Sequence, residues 1–234
     1  MFKTLLFDLD GTLLPNDIDV FVREYTKALA GKVAHLVEPQ KFVQQLLSST
    51  YVMVKNTEKD KSNQDVFLEN FFQGIGMCQN DLMPIFDHFY ANDFAKLKDY
   101  TQPNPNVKRM IENAFAKGLE VVVATNPVFP LTAIEQRLDW AGVAKFPYKL
   151  ITSYEKMHFC KPNPEYYEEI LSLVQRTPAE CLMVGNDVEE DLIAQKVGLK
   201  TFLVEDCLIC RSGQEFYTDY RGTLGDLESF IDNL

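Results

Sequence analysis

A chain of 234 residues, 46% hydrophobic and 24% charged, has the make-up of one large globular domain or of a domain with a smaller insert, which excludes a disordered or collagen-like chain. Lys and Arg total 23 against 34 Asp and Glu, a net charge of −11 that repels phosphate backbones, so nucleic-acid binding is not expected. No apolar run reaches the roughly 18 residues of a membrane span, and the apolar part of the N-terminus through Phe7 is too short for a secretion signal.

The first apolar run, Thr4–Leu9, reads as a buried strand. From Pro15 to Tyr100 no strand is expected, and four helical patterns follow one another. Ile18, Phe21, Val22, Tyr25, Leu29, Val33 and Leu36 mark the first; Phe42, Val43, Leu46 and Leu47 the second. Val66, Phe67, Phe71 and Phe72 mark the third; Leu82, Ile85, Phe86, Phe89 and Tyr90 the fourth. Polar Asn56–Gln64 reads as a loop, as does the mixed-charge run Lys55–Lys61. Thr101–Pro105 reads as a return linker, because its prolines stop helices on either side.

Beyond the linker, strand patterns at Glu120–Thr125, Tyr148–Thr152, Cys181–Gly185 and Lys200–Val204 alternate with helical ones. Val107, Met110, Ile111, Ala114 and Phe115 precede a capping Gly118. Tyr167, Ile170, Leu171 and Val174 follow Pro164, and Leu192, Ile193 and Val197 precede Gly198. Near-continuous apolar strands alternating with helices predict an α/β fold with a doubly wound parallel sheet. Residues 1–14 and 101–234 form the predicted core, and residues 15–100 an inserted α-helical module. Five scattered cysteines, Cys78, Cys160, Cys181, Cys207 and Cys210, read as reduced thiols and suggest a cytoplasmic protein. Cys207 and Cys210 have redox or zinc spacing, but there is no second Cys pair and His35, His88 and His158 show no ligand spacing to them, so the pair reads as incidental.

The chemistry gathers at strand ends. Phe7-Asp8-Leu9-Asp10-Gly11-Thr12-Leu13-Leu14 closes the first strand, at the edge where open α/β sheets bind ligands. On an extended segment residues two apart share a direction, so Asp8 and Asp10 converge. Two like charges at close range call for a shared proton or a cation, and a hard divalent ion with oxygen ligands, Mg²⁺ first, meets that need. Gly11 permits a tight turn, which the Thr12 hydroxyl ties down.

Three further segments follow in order: Val121-Val122-Val123-Ala124-Thr125-Asn126, Cys160-Lys161-Pro162-Asn163-Pro164, and Leu182-Met183-Val184-Gly185-Asn186-Asp187-Val188-Glu189-Glu190-Asp191. With them the chain resembles the haloacid dehalogenase-like hydrolase superfamily, in its C1-capped phosphatase branch. The resemblance covers the Asp8 end and the stretch from about Val107 to Val204. It implies a Rossmann-like core, a helical cap over residues 15–100, and a Mg²⁺-dependent phosphatase acting on a small phosphorylated metabolite. Asp8 would be the nucleophile that becomes an aspartyl-phosphate, and Asp10 the general acid and base. Thr125, the Asn126 backbone N–H and Lys161 would hold the transferring oxygens. Mg²⁺ would bridge the phosphoryl group and Asp8, with the Asp10 backbone carbonyl as a further ligand.

The last segment departs from the family pattern. Asn186 stands where the family usually has Asp, Asp187 follows it, and Asp191 holds the later acidic place. Either Asn186 ligates the metal through its amide oxygen or Asp187 takes over, with Asp191 orienting Lys161 or a metal-bound water. Glu189 and Glu190 read as residues that merely favour the start of the next helix. A sugar-phosphate mutase, a dehalogenase and a non-catalytic binding protein share the resemblance. Asp10 argues against the dehalogenase, and Asp8, Asp10, Thr125 and Lys161 together argue against lost catalysis. Oligomeric state is not legible.

Overall fold

Side chains alternate across the first strand, with Leu5 and Phe7 in one buried cluster and Leu6 in the other. Val121 and Val123 oppose Val122 in the same way, as do Leu182 and Val184 against Cys181 and Met183. A sheet apolar on both faces must be covered on both, and the computed structural model, which describes residues 2–234, shows that sandwich. Its strands are β1 (Thr4–Phe7), β2 (Glu120–Val123), β3 (Leu150–Ile151), β4 (Cys181–Gly185), β5 (Lys200–Val204) and β6 (Tyr220–Gly222). They pair in parallel in the order β3-β2-β1-β4-β5-β6. The chain winds outward from β1 to β3, then crosses back to β4 and winds the other way. The reversal between β1 and β4 opens a crevice at the carboxyl ends of those strands.

Residues 15–100, inserted after β1, hold four helices, α1 (Ile18–Val33), α2 (Pro39–Lys55), α3 (Asn63–Ile75) and α4 (Gln79–Asn92), and a 3-10 segment, Phe94–Tyr100. The rest of the chain adds α5 (Pro105–Ala116), α6 (Leu131–Trp140), α7 (Pro164–Val174) and α8 (Leu224–Asp232). Buried residues of α5, α6 and α8 share one cluster with the inserted helices, whereas α7 covers the opposite face. Among the described residues no helix is long and apolar enough to cross a membrane.

The inserted helices are fastened at both ends. At the base, Gln102 N–H donates to the Pro15 carbonyl at 2.8 Å, and Asn16 bridges Thr101. Aromatic rings then lock α1 and the 3-10 segment to α6 and its approach: Tyr25 lies 5.1 Å from Phe129, and Phe94 stacks on Trp140 at 5.5 Å. At the far end, Asn63 and Gln64 N–H groups donate to the carbonyls of Met157 and Tyr154, each at 2.8 Å. Asn163 returns a bond from α7 to the Val54 carbonyl at 2.8 Å.

Several elements differ from the sequence reading. β1, β2 and β3 are shorter than the apolar runs that announced them, although ladder bonds such as Ala124 N–H to the Phe7 carbonyl at 2.7 Å run beyond the strand ends. Leu192–Val197 is a 3-10 helix closed by Gly198 at φ +90°. Leu36 lies beyond the end of α1 and is exposed, and Asn63 and Gln64 belong to α3 rather than to the preceding loop. α6, β6 and α8 were not anticipated. β6 has only three residues, two of them exposed, so it presents no apolar run. In α6 the buried stripe Ala133, Ile134, Leu138 is interrupted by a buried arginine, Arg137.

Candidate active site

Asp8 leaves β1 with its N–H on the Val184 carbonyl at 2.8 Å, so its backbone is fixed by β4. The strand has already ended, and alternation along it is not what brings Asp10 near. Instead the chain folds back, with Leu14 N–H on the Leu9 carbonyl at 2.8 Å and Gly11 N–H on the Leu14 carbonyl at 2.9 Å. Gly11 makes that turn at φ +81°, and a Cβ there would stand 2.3 Å from Nδ2 of Asn186. Handedness and space both require glycine.

The crevice holds a cavity of about 180 Å³ lined by Asp8, Asp10, Thr125, Asn126, Asn186 and Asp187, with Glu190, Asp191 and Arg211 around them. Thr12 and Lys161 stand behind this lining without exposed surface. All the residues singled out from the sequence thus surround one small volume.

Lys161 Nζ donates to Oδ1 of Asp8 at 2.8 Å and to Oδ1 of Asp191 at 2.6 Å. Burial alone would strip its proton, but Asp191 and Asp8 hold the ammonium well above its ordinary pKa. Burial likewise pushes the Asp8 carboxyl up against the pull of Lys161, and the charges of Asp191 and Asp10 add to the rise. Asp191 is itself anchored, because its Oδ2 accepts from Asp187 N–H at 2.9 Å. Asp191 thus touches Lys161, one of the two partners the sequence leaves open for it.

Thr12 Oγ1 donates to Oδ1 of Asn186 at 3.0 Å, tying the loop after β1 to the loop after β4. Asn186 Nδ2 donates to the Cys207 carbonyl at 2.7 Å. Asp187 has both oxygens engaged. Oδ1 accepts from the N–H groups of Glu189 (2.9 Å) and Glu190 (3.0 Å), and Oδ2 takes Arg211 Nη1 at 2.5 Å. The Thr125 carbonyl accepts from Thr152 Oγ1 and the Tyr166 hydroxyl, each at 2.8 Å. Asn126 Nδ2 reaches Glu190 Oε2 at 3.1 Å and the Lys161 carbonyl at 3.3 Å, while its Oδ1 is buried without a hydrogen-bond partner.

Four further residues shape the site. Arg137 on α6 donates from Nη1 to Oδ2 of Asp10, its guanidinium carbon 4.5 Å from the Phe129 ring centre and 6.0 Å from that of Phe21. Asn16 Nδ2 donates to the other Asp10 oxygen at 3.0 Å. Arg211 covers Asp187, as described. Glu190 corrects the sequence reading, because it lines the cavity and bonds Asn126 rather than simply dressing a helix start. Burial, reinforced by Asp187 and Asp191 and opposed by Lys161, pushes its carboxyl up to about 7.

Asp8, Asp10, Asp187, Glu190 and Asp191 outnumber the three cations paired with this group, Lys161, Arg137 and Arg211. Burial and this surplus raise Asp8, Asp187 and Glu190 together. A bound cation relieves such a surplus, and the donors available are all hard oxygens. Among the described residues no three acidic, His or Cys side chains group closely enough to cage a metal alone. An ion here would therefore also use amide, backbone, substrate or water oxygens, as Mg²⁺ commonly does.

Residues 2–198 match the family model for haloacid dehalogenase-like hydrolases. Pyrophosphatase PpaX of Anoxybacillus flavithermus is 25% identical over 201 residues, covering 85% of this chain and 81% of that one. Phosphoglycolate phosphatase of Aquifex aeolicus is 24% identical over 204 residues, covering 86% and 84%. Among solved structures, the L-2-haloacid dehalogenase from Xanthobacter autotrophicus with chloropropionic acid covalently bound aligns with a TM-score of 0.60 at 16% identity, over 99% of this chain and 98% of that one. A HAD phosphatase from Thermococcus onnurineus aligns at 0.57 and 18% identity, with the same coverage. These two structural likenesses carry the fold.

Proposed function

The chain belongs to the haloacid dehalogenase-like hydrolases, and from that premise we propose that it is a Mg²⁺-dependent phosphatase of small phosphate esters. The observation that carries this reading is the chain of contacts Asp191–Lys161–Asp8, which pins one oxygen of Asp8 and leaves Oδ2 for phosphorus. In the first step that oxygen forms a bond to phosphorus while the bond from phosphorus to the leaving oxygen breaks, and Asp10 gives the departing alkoxide a proton. In the second, water attacks the aspartyl-phosphate, Asp10 takes its proton, and Asp8 is released with inorganic phosphate. Asp10 holds Arg137 on one oxygen and Asn16 on the other, so the neutral Asn16 contact is the one exchanged for a proton.

Thr125, the Asn126 N–H and Lys161 are the donors assigned to the phosphoryl oxygens. Asp8, the Asp10 carbonyl and the Asn186 amide oxygen would hold Mg²⁺, which when bound would neutralise charge between the carboxylate and the phosphoryl group. Asp187 is already neutralised by Arg211 and two backbone N–H groups, whereas the Asn186 amide oxygen accepts only from Thr12 Oγ1 and keeps a lone pair, which supports Asn186 over Asp187 as the ligand. Relatives named pyrophosphatase and phosphoglycolate phosphatase support phosphoryl transfer over dehalogenation, as does the presence of Asp10. Residues 15–100 act as the cap over a core of residues 1–14 and 101–234, and their fastening at both ends favours a small substrate over a macromolecule. Five free thiols, with buried Cys181 pushed up to about 11, suit a reducing cytoplasm.

The test is hydrolysis of a simple aryl phosphate with Mg²⁺, with EDTA, and with the Asp8→Asn variant. Activity is expected only in the first case, and Asp10→Asn is expected to accumulate phosphorylated protein by mass spectrometry or to block its formation. Undiminished turnover by Asp8→Asn overturns the reading.

A further inference from the structure

A second cavity of about 360 Å³ adjoins the catalytic one, and Val22, Val128 and Phe129 line both. It runs between the inserted helices and the approach to α6, with walls that include Tyr25, Phe67, Met83, Phe86 and Tyr90. Its volume falls in the range of small-molecule sites, roughly 300–1,000 Å³, whereas the catalytic cavity is about half that, at about 180 Å³.

Its charge is the informative feature. Among the described residues no Lys, Arg or His lines the second cavity, and its carboxylic acids are Asp87 and Glu155. The cations nearest the reaction are already paired: Lys161 with Asp8 and Asp191, Arg137 with Asp10, and Arg211 with Asp187. A substrate with a second anionic group would meet carboxylates there and no free cation. Apart from those two carboxylates, of which Glu155 already accepts from Leu131 N–H, the polar groups on offer are neutral, chiefly the Tyr25 and Tyr90 hydroxyls, 2.7 Å apart, and the side chain of Gln64.

We propose that the second cavity receives the substrate's leaving group, and that this group is an uncharged, largely apolar alcohol at least as large as an aromatic ring. The inference rests on the phosphatase reading and narrows it, setting this chain apart from relatives named for pyrophosphate and phosphoglycolate.

The test compares kcat/KM for methyl phosphate, benzyl phosphate, phosphoglycolate, pyrophosphate and phosphoethanolamine on the full chain with Mg²⁺. Methyl and benzyl phosphate release alcohols of similar acidity, so their ratio reports occupancy of the cavity rather than leaving-group chemistry. Benzyl phosphate should be favoured over methyl phosphate about thirtyfold (about 2 kcal/mol), as burial of one ring provides, and should exceed phosphoglycolate, phosphoethanolamine and the anhydride pyrophosphate. Met83→Trp, which fills the cavity, should bring the benzyl-to-methyl ratio toward one. Leu47 lines the cavity but is half exposed, so Leu47→Arg should fold and shift preference toward phosphoglycolate by about tenfold. A benzyl-to-methyl ratio near one in the unaltered chain, or preference for phosphoglycolate, phosphoethanolamine or pyrophosphate, overturns the inference while leaving a phosphatase. Hydrolysis of none of the five overturns the phosphatase reading and the leaving-group assignment with it.

Discussion

Arg137 reaches Asp10 from inside the protein: its Nη1 donates to Oδ2, and the residue has no exposed surface. The contact joins α6 to the loop after β1 beneath two rings, Phe129 from the approach to α6 and Phe21 from the inserted α1. A planar guanidinium held in this way fixes where the carboxyl points. Nη2 of the same group is buried without a partner, a cost that the fold tolerates at this position.

We infer that Arg137 is a positioning residue for the proposed acid and base. Arg137→Met is expected to lower kcat about a hundredfold and to cost about 1–3 kcal/mol of stability, because it removes a charge-assisted bond from a half-buried carboxylate that Asn16 still holds. Arg137→Lys should recover part of both losses. The decisive reading is kcat against KM for the folded fraction. In Arg137→Met kcat should fall with little change in KM, and a kcat of the folded fraction equal to that of the unaltered chain would make Arg137 purely structural.

The same residue explains why part of the site was hidden in the sequence. Asp8, Asp10, Thr125 and Asn186 follow apolar strands, so binary patterning points to them and the sheet topology gathers them. Arg137 occupies a core position of α6, where it breaks the apolar stripe that would have announced the helix. Asn16 and Arg211 sit in segments without regular structure, and only folding brings them beside Asp10 and Asp187. Glu190 looked like surface charge because its burial depends on Asn126, 64 positions away. Periodicity reports which face a residue takes, and says nothing of a polar partner supplied by a distant segment.

Asn186→Asp is expected to lower the Mg²⁺ concentration for half-maximal activity about tenfold, the lower end of what such shell changes produce. A carboxylate adds the charge that the amide lacks, although it loses the donor that Nδ2 gives to the Cys207 carbonyl. Asn186→Ala should raise the Mg²⁺ requirement, and titration of activity against free Mg²⁺ compares the three. An unchanged midpoint in both variants removes Asn186 from the metal site.

Glu190 makes stability depend on pH. Its folded value of about 7 lies above the roughly 4.3 of an unfolded glutamate. The folded state therefore holds the proton more tightly, and this contribution is full below the unfolded value and lost as pH rises through the folded one. Glu190→Gln should gain on the unaltered chain between pH 5 and pH 8 by about 1–3 kcal/mol. Urea denaturation in EDTA at the two pH values measures it, and an equal difference at both excludes the linkage.

Gly185 ends β4 where Asp191 turns back toward Lys161, and a Cβ there would fall 2.0 Å from Oδ2 of Asp191. Without that contact Gly185→Ala should stabilise the strand by about 0.5–1 kcal/mol, since alanine loses less backbone freedom on folding. The contact reverses the sign. Asp191 is 2% exposed and held between Asp187 N–H and Lys161, so the new methyl group pushes it off the bond to Lys161 that steadies Asp8. Gly185→Ala is expected to lower kcat at least tenfold with a smaller change in KM, because phosphoryl positioning suffers more than leaving-group binding. Adding Asp191→Ala removes the atom in the way, so the double variant should lose less than the product of the two single losses. Single effects that simply multiply would show that Gly185 acts through the strand and not through Asp191.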